Sequence, residues 1–91
     1  MQEYPIDGVL DLHTFDPSEV DSLVPEYLRV CHEKGLTQVR IIHGKGTGVL
    51  RRQVRDLLAE AELVVDYETA TDESGWGATI ARLAPASNAA E

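Results

Sequence analysis

The sequence predicts a two-layer α/β (α+β) domain of order βαβαββ, in which two helices cover one mixed four-stranded sheet. Three observations lead to this prediction. The chain has 91 residues, enough for one core and too few for two. Two segments carry apolar residues at helical spacing, and four others are short apolar or β-branched runs. We expect residues 1–83 to form a single domain and residues 84–91 to form a flexible C-terminal tail.

The first helix has recognisable signals at both ends. Asp16 is suited to cap the helix, Pro17 to occupy its first position, and Gly35 to follow its last turn. An apolar stripe at helical spacing runs as far as Cys31. Pro25 removes one helical hydrogen bond, so the sequence predicts either a kink there or a break into two shorter helices.

The other elements follow from shorter patterns. Strands are predicted at Val9–His13, Gln38–His43, Leu63–Tyr67 and Ala78–Leu83, and a second helix from Val49 to Ala61. The side chains that we expect to be buried between the two layers are Leu12, Val24, Leu28, Ile41, Leu57, Leu58 and Ile80.

The charges are unevenly distributed. Sixteen acidic against eight basic residues give a net charge of −8, a balance that by itself argues against nucleic-acid binding. However, the segment Arg40–Arg55 reads RIIHGKGTGVLRRQVR, with five basic residues and no acidic one. This concentration favours an anion-binding site, and a helix with a solvated basic face is the alternative.

Composition also bears on the cellular setting. A single cysteine, Cys31, allows no internal disulfide, so we expect a reducing, cytoplasmic environment. No apolar run approaches the roughly 20 residues of a membrane helix, and residues 1–5 lack the features of a signal peptide. We therefore expect no membrane partner, and a monomer.

A glycine-rich loop joins the second predicted strand to the second helix. Glycines let backbone N–H groups turn outward, and the start of the helix favours an anion. The loop lacks the Walker spacing, which argues against nucleotide hydrolysis. A tight turn without ligand is the alternative. The residues predicted to contact phosphate are Gly44, Lys45, Gly46, Thr47, Gly48, Arg51 and Arg52.

Three ionisable residues stand at the ends of the first two predicted strands. Asp11 and His13 alternate with apolar neighbours, and His43 ends the next strand. Parallel strands joined by a helix end at the same edge, so we expect these side chains to converge beside the glycine loop. Two imidazoles and a carboxylate suit general acid/base catalysis of phosphodiester cleavage without a required cofactor. The same three groups could in principle hold a divalent cation such as Mg²⁺, and each alone could be structural.

Three motifs in this order resemble the Smr (small MutS-related) domain family. They are Leu10–His13 (LDLH), His43–Arg51 (HGKGTGVLR) and Gly77–Leu83 (GATIARL). The resemblance extends from about Ile6 to Leu83 and implies a βαβαββ fold similar to the C-terminal domain of translation initiation factor three. It also implies nucleic-acid binding, with nicking or ribonuclease activity in several members, and this chain looks like the stand-alone kind.

The family's motifs fall on named positions of this chain. Its Asp-x-His motif falls on Asp11 and His13, and its His-Gly-x-Gly motif falls on residues 43–46. The family usually has glycine after the first histidine, where this chain has Thr14.

These observations predict a nucleic-acid-binding domain with endonuclease-type activity on DNA or RNA. Lys45, Arg51 and the loop amides would hold the phosphate, and His13 and His43 would transfer protons. Asp11 would orient His13. The alternatives are a non-catalytic module that binds nucleic acid or a partner through the loop, and a small-molecule phosphate binder.

Overall fold

The computed structural model describes residues 7–13, 15–44, 48–70 and 77–85. The elements are β1 (Val9–Asp11), α1 (Pro17–Glu33), β2 (Gln38–Ile42), α2 (Val49–Glu60), β3 (Val64–Thr69) and β4 (Ala78–Leu83). The predicted βαβαββ order is confirmed. Thr14, loop residues 45–47 and residues 86–91 of the expected tail lie outside the described residues.

The four strands form one mixed sheet in the order β1-β2-β4-β3. β1 is parallel to β2, with Leu10 opposite Ile41, and β4 is antiparallel to both β2 and β3. Right-handed crossovers that progress in one direction across a sheet place their helices on the same face. Accordingly, α1 and α2 pack against each other on one side of the sheet.

The core lies between this face of the sheet and the two helices. Its buried members are Leu10, Leu12, Val39, Ile41, Ala81 and Leu83 from the sheet side and Val20, Val24, Tyr27, Leu28, Cys31, Val54 and Leu58 from the helices. Five of the seven side chains predicted to be buried are buried; Leu57 and Ile80 are only half-buried. Leu57 packs at the margin of the core, whereas Ile80 alternates with the buried Thr79 and Ala81 and so faces the other side of β4.

The first helix runs without a break through Pro25, so the predicted alternative of two shorter helices is wrong. Pro25 is exposed, which leaves the unpaired carbonyl of the preceding turn on the solvent side. Asp16 is the N-cap residue, but its side chain makes no capping hydrogen bond, contrary to expectation. Gly35, at φ 85°, ends the helix as predicted, with the Leu36 amide donating to the Cys31 carbonyl at 3.0 Å.

Neither helix of the described chain is long and apolar enough to cross a bilayer.

Candidate functional site

Asp11 and His13 form a hydrogen-bonded pair where β1 ends. One carboxylate oxygen of Asp11, Oδ1, accepts hydrogen bonds from the backbone amide of His13 at 3.0 Å and from its ring Nδ1 at 2.8 Å. The ring contact, followed by the amide contact, holds the pKa of the Asp11 carboxyl below its usual value. The carboxylate therefore stays ionised and acts only as a hydrogen-bond acceptor. Its bond to the His13 amide holds the turn that follows β1.

This pair fixes the chemical state of the exposed imidazole. Because Nδ1 donates to the carboxylate, neutral His13 carries its lone pair on Nε2. The His13 side chain is 75% exposed, so Nε2 is accessible to a substrate. The arrangement suits a general base whose ring is oriented by the adjacent carboxylate.

His43, by contrast, is buried, with 7% of its surface exposed. Its ring Nδ1 donates to the carbonyl of Gly44 at 2.9 Å. Nε2 lies 2.8 Å from the hydroxyl oxygen of fully buried Thr79 and, in the neutral ring, accepts the hydroxyl proton. Both ring nitrogens are thus engaged within the protein.

The surroundings of His43 favour its neutral form. Burial lowers the pKa of the imidazole most, and the guanidinium charges of Arg51 and Arg55 lower it further, against an opposing contribution from the Gly44 carbonyl. A neutral ring bonded on both sides ties the start of the glycine loop to β4. The backbone amides of His43 and Gly44 reinforce this link by donating to the Gly77 carbonyl at 2.9 and 2.8 Å.

The expectation that Asp11, His13 and His43 share one face of the sheet is wrong. His43 bonds to Thr79 and follows the buried Ile41 by two positions, so it lies on the helix side. Asp11 alternates with buried Leu10 and projects from the opposite side, where it holds His13. The two strands end at one edge of the sheet, but Leu10 lies opposite Ile41, so His43 shares the side of Leu10 and not that of Asp11.

Within residues 7–13, 15–44, 48–70 and 77–85, no group of three or more His, Cys, Asp or Glu side chains is arranged to hold a metal ion.

Basic side chains of α2 gather near His43, on the helix side of the sheet. Arg51 and Arg55 both donate through Nη2 to the hydroxyl of Thr69 on β3, Arg51 at 3.4 Å. The Arg55 guanidinium also lies over the Tyr67 ring, 5.6 Å from its centroid. Arg52 is exposed. The first turn of α2 contains no acidic residue, so its positive end is not neutralised within the helix.

The first and last glycines of the predicted phosphate loop are required by its backbone conformation. Gly44 and Gly48 have φ of 83° and 89°, values that other residues rarely adopt. A Cβ added at either position would meet nothing within 4 Å, so conformation rather than space requires glycine there. Lys45, Gly46 and Thr47, which the sequence places in the same loop, lie outside the described residues.

Sequence reasoning missed three residues of this region: Arg55, Thr69 and Thr79. Arg55 stands four positions after Arg51 in the basic segment, a spacing that puts both on one helix face. Thr79 lies within the third sequence motif. Thr69 carries no local signal, because only the pairing of β3 with β4 brings it to α2.

Comparisons with known proteins agree with one another. The family model of the Smr domain matches residues 10–84. The crystal structure of the Smr domain of Thermus thermophilus MutS2 is 33% identical, with a TM-score of 0.80 over 85% of this chain and 98% of that one. YdaL, a stand-alone small MutS-related protein from Escherichia coli, is 31% identical, with a TM-score of 0.79 over 89% of this chain and 67% of that one.

Curated relatives include Endonuclease MutS2 of Caldicellulosiruptor saccharolyticus, 40% identical over 86 residues, and that of Clostridium tetani, 34% identical over 79 residues. These matches cover 91% and 86% of this chain, but only 11% and 10% of the relatives. The chain thus spans about a tenth of their length.

Proposed function

Because the chain belongs to the Smr domain family, we propose that it binds nucleic acid at the carboxyl edge of β1 and β2 and cleaves phosphodiester bonds with the Asp11–His13 pair. The relatives named endonucleases, which share this domain, support the proposal. The observation that carries it is the carboxylate that holds an exposed imidazole in one tautomer.

The binding surface combines the start of α2 with the loop before it. Arg52 is exposed and Arg51 half-buried in the first turn of this helix, whose positive N-terminal end also favours a phosphate. Lys45 adds a further cation to the loop. An acidic chain can bind a polyanion when its uncompensated cations are gathered in this way.

The cleavage step uses His13 as the proton acceptor. Its Nε2 takes the proton of the attacking hydroxyl or water as that oxygen bonds to phosphorus and the bond to the leaving oxygen breaks. Asp11 orients the ring through its hydrogen bond to Nδ1. His43 positions the loop through the Gly44 carbonyl and does not exchange protons with the substrate.

A non-catalytic nucleic-acid-binding module is the second candidate. The burial of His43, on the side of the sheet opposite Asp11, favours it, because only one of the two expected imidazoles is available to a substrate.

The remaining expectations stay part of the proposal: a monomeric, cytoplasmic domain over residues 1–83 that requires no cofactor, with a divalent cation such as Mg²⁺ as the alternative. Cys31 supports the reducing environment, because it is a buried free thiol that completes the core.

Replacing Lys45 with glutamate tests the binding surface. Fluorescence anisotropy with a labelled oligonucleotide should show tight binding at low salt that weakens steeply as salt is raised, because phosphate contacts release counterions. Lys45→Glu should weaken binding at low salt about tenfold or more without a change in the melting temperature.

Lys34→Glu is the matched control, since it reverses the same charge at the exposed C-cap of α1, at the other end of the parallel strands. Equal affinities of the Lys45→Glu and wild-type proteins would remove the loop from the contact surface. Affinity that is independent of salt would contradict phosphate contacts altogether.

A further inference from the structure

Arg51 and Arg55 are arranged unlike the other arginines whose partners the structure shows. Arg29 pairs with two glutamates and Arg82 lies beside two carboxylates. Within the described part of the chain, neither Arg51 nor Arg55 has a carboxylate partner. Two cations instead converge on a single neutral acceptor, the hydroxyl of Thr69.

This convergence is unfavourable unless something else joins it. Like charges four positions apart on a helix repel each other. In addition, Nε of Arg51 and Nε of Arg55 are both buried without a hydrogen-bond partner. Buried donors in proteins are normally satisfied, and a charged donor left without an acceptor is especially costly. An anion that accepts from the two guanidinium groups relieves the repulsion and replaces the missing carboxylate partner.

We propose that Arg51, Arg55 and Thr69 form a subsite for the terminal phosphate monoester of a nucleic-acid strand. The inference rests on the proposed function and adds a preference for phosphorylated strand ends. Arg51 thereby belongs both to the start of α2 and to this subsite, whereas Arg55 and Thr69 belong to the subsite alone.

The charge of the subsite selects a monoester over a diester. A phosphate monoester carries about −1.5 to −2 near neutral pH, whereas each phosphodiester of the backbone carries one negative charge. The two positive charges of the guanidinium groups balance the charge of a monoester more closely than that of a diester. His43 beside them is held neutral, so it adds no third positive charge. Stacking on Tyr67 also orients the Arg55 guanidinium before a ligand arrives.

The competing explanation is that Arg55 only fastens α2 to β3. That role lowers stability when Arg55 is replaced but gives no preference between strand ends. The experiment therefore compares three oligonucleotides of identical sequence: one with a 5′-phosphate, one with a 3′-phosphate and one with hydroxyls at both ends. Anisotropy titrations measure the affinity of the wild-type, Arg55→Gln, Thr69→Val and Arg29→Gln proteins for each.

The wild-type protein should bind one phosphate-ended strand about tenfold more tightly than the hydroxyl-ended strand, an effect typical of charge-assisted hydrogen bonds. Arg55→Gln and Thr69→Val should reduce this ratio to about one, whatever their effect on overall affinity. Arg29→Gln removes the same charge from an exposed position of α1 and should keep the ratio. Measurable but equal wild-type affinities for all three strands, or an unchanged ratio in Arg55→Gln, would overturn the subsite.

Inorganic phosphate separates this inference from the proposed function. At constant ionic strength it should raise the melting temperature of the wild-type and Arg29→Gln proteins, and not that of Arg55→Gln or Thr69→Val. If no oligonucleotide binds but phosphate still raises the wild-type melting temperature, the proposed function fails and the phosphate subsite stands. If phosphate leaves the wild-type melting temperature unchanged, the subsite fails, even where oligonucleotides bind.

Discussion

His43 and His13 show how the surroundings of a side chain decide its role. Both follow a strand, and both belong to motifs that suggest catalysis. His13 is exposed and held by a carboxylate, whereas His43 is buried and bonded at both nitrogens to protein groups. The exposed ring is available for proton transfer, and the buried ring stabilises the loop.

Replacing His43 with alanine should therefore reduce the stability of the protein, because the buried ring bonds to two protein groups. The variant leaves the buried Thr79 hydroxyl and the Gly44 carbonyl without their ring partner, which should cost about 1–3 kcal/mol. Urea denaturation at pH 7.5 measures this loss.

The His43 pKa is lowered on folding, so the unfolded chain binds the proton more readily. The wild-type free energy of unfolding should thus fall as the pH drops below the ordinary histidine value of 6.5.

The His43→Ala variant should lack this part of the pH dependence, and His32→Ala serves as the control that keeps it. The lowered pKa of Asp11 acts in the same direction at lower pH, below its ordinary value of 3.8. A His43→Ala protein within half a kcal/mol of the wild type would mean that the buried hydrogen bonds do not form.

At the scale of elements, the second helix separates two neighbouring leucines. Leu58 is 1% exposed and lies in the core, whereas Leu57 is half-buried at its margin. Helical periodicity identified the apolar face but not its centre, because the centre depends on how α2 rotates against α1 and the sheet. Val54 and Leu58, four positions apart, mark that centre.

Alanine substitutions at the two positions should therefore differ. Leu58→Ala should cost about 2–5 kcal/mol, the range for fully buried leucines, and Leu57→Ala clearly less. Urea denaturation of both variants under the same conditions provides the comparison, each being the control for the other. Equal costs, or a larger cost for Leu57→Ala, would mean that α2 is rotated from the orientation described.

Strand ends were harder to predict than strand cores. β4 has the predicted bounds, Ala78–Leu83. β1 ends at Asp11 rather than His13, because the Asp11 carboxylate takes the His13 amide and turns the chain. β3 begins and ends later than predicted and contains a register shift between Val64 and Asp66, which side-chain patterns do not reveal.

At the scale of the whole molecule, topology brings together what local patterns leave apart. The sequence predicted the element order, the parallel pairing of β1 with β2 and the cationic start of α2. It did not predict that β4 would be inserted between β2 and β3, which places Thr79 beside His43 and lets β3 present Thr69 to Arg51. Such contacts depend on strand order, which local residue patterns do not encode.

The central claim is that an exposed carboxylate–imidazole pair performs phosphodiester cleavage, and loss of the imidazole tests it most directly. End-labelled RNA and DNA are incubated with the wild-type, His13→Ala and His32→Ala proteins, and the products are separated by length. The wild-type and His32→Ala proteins should cleave at similar rates. His13→Ala should cleave about 10²–10⁴-fold more slowly, the usual contribution of a general acid or base, with its melting temperature almost unchanged because the ring is exposed. Cleavage by His13→Ala at the wild-type rate would contradict the assignment, and a wild-type protein that binds but does not cleave would establish the non-catalytic module instead.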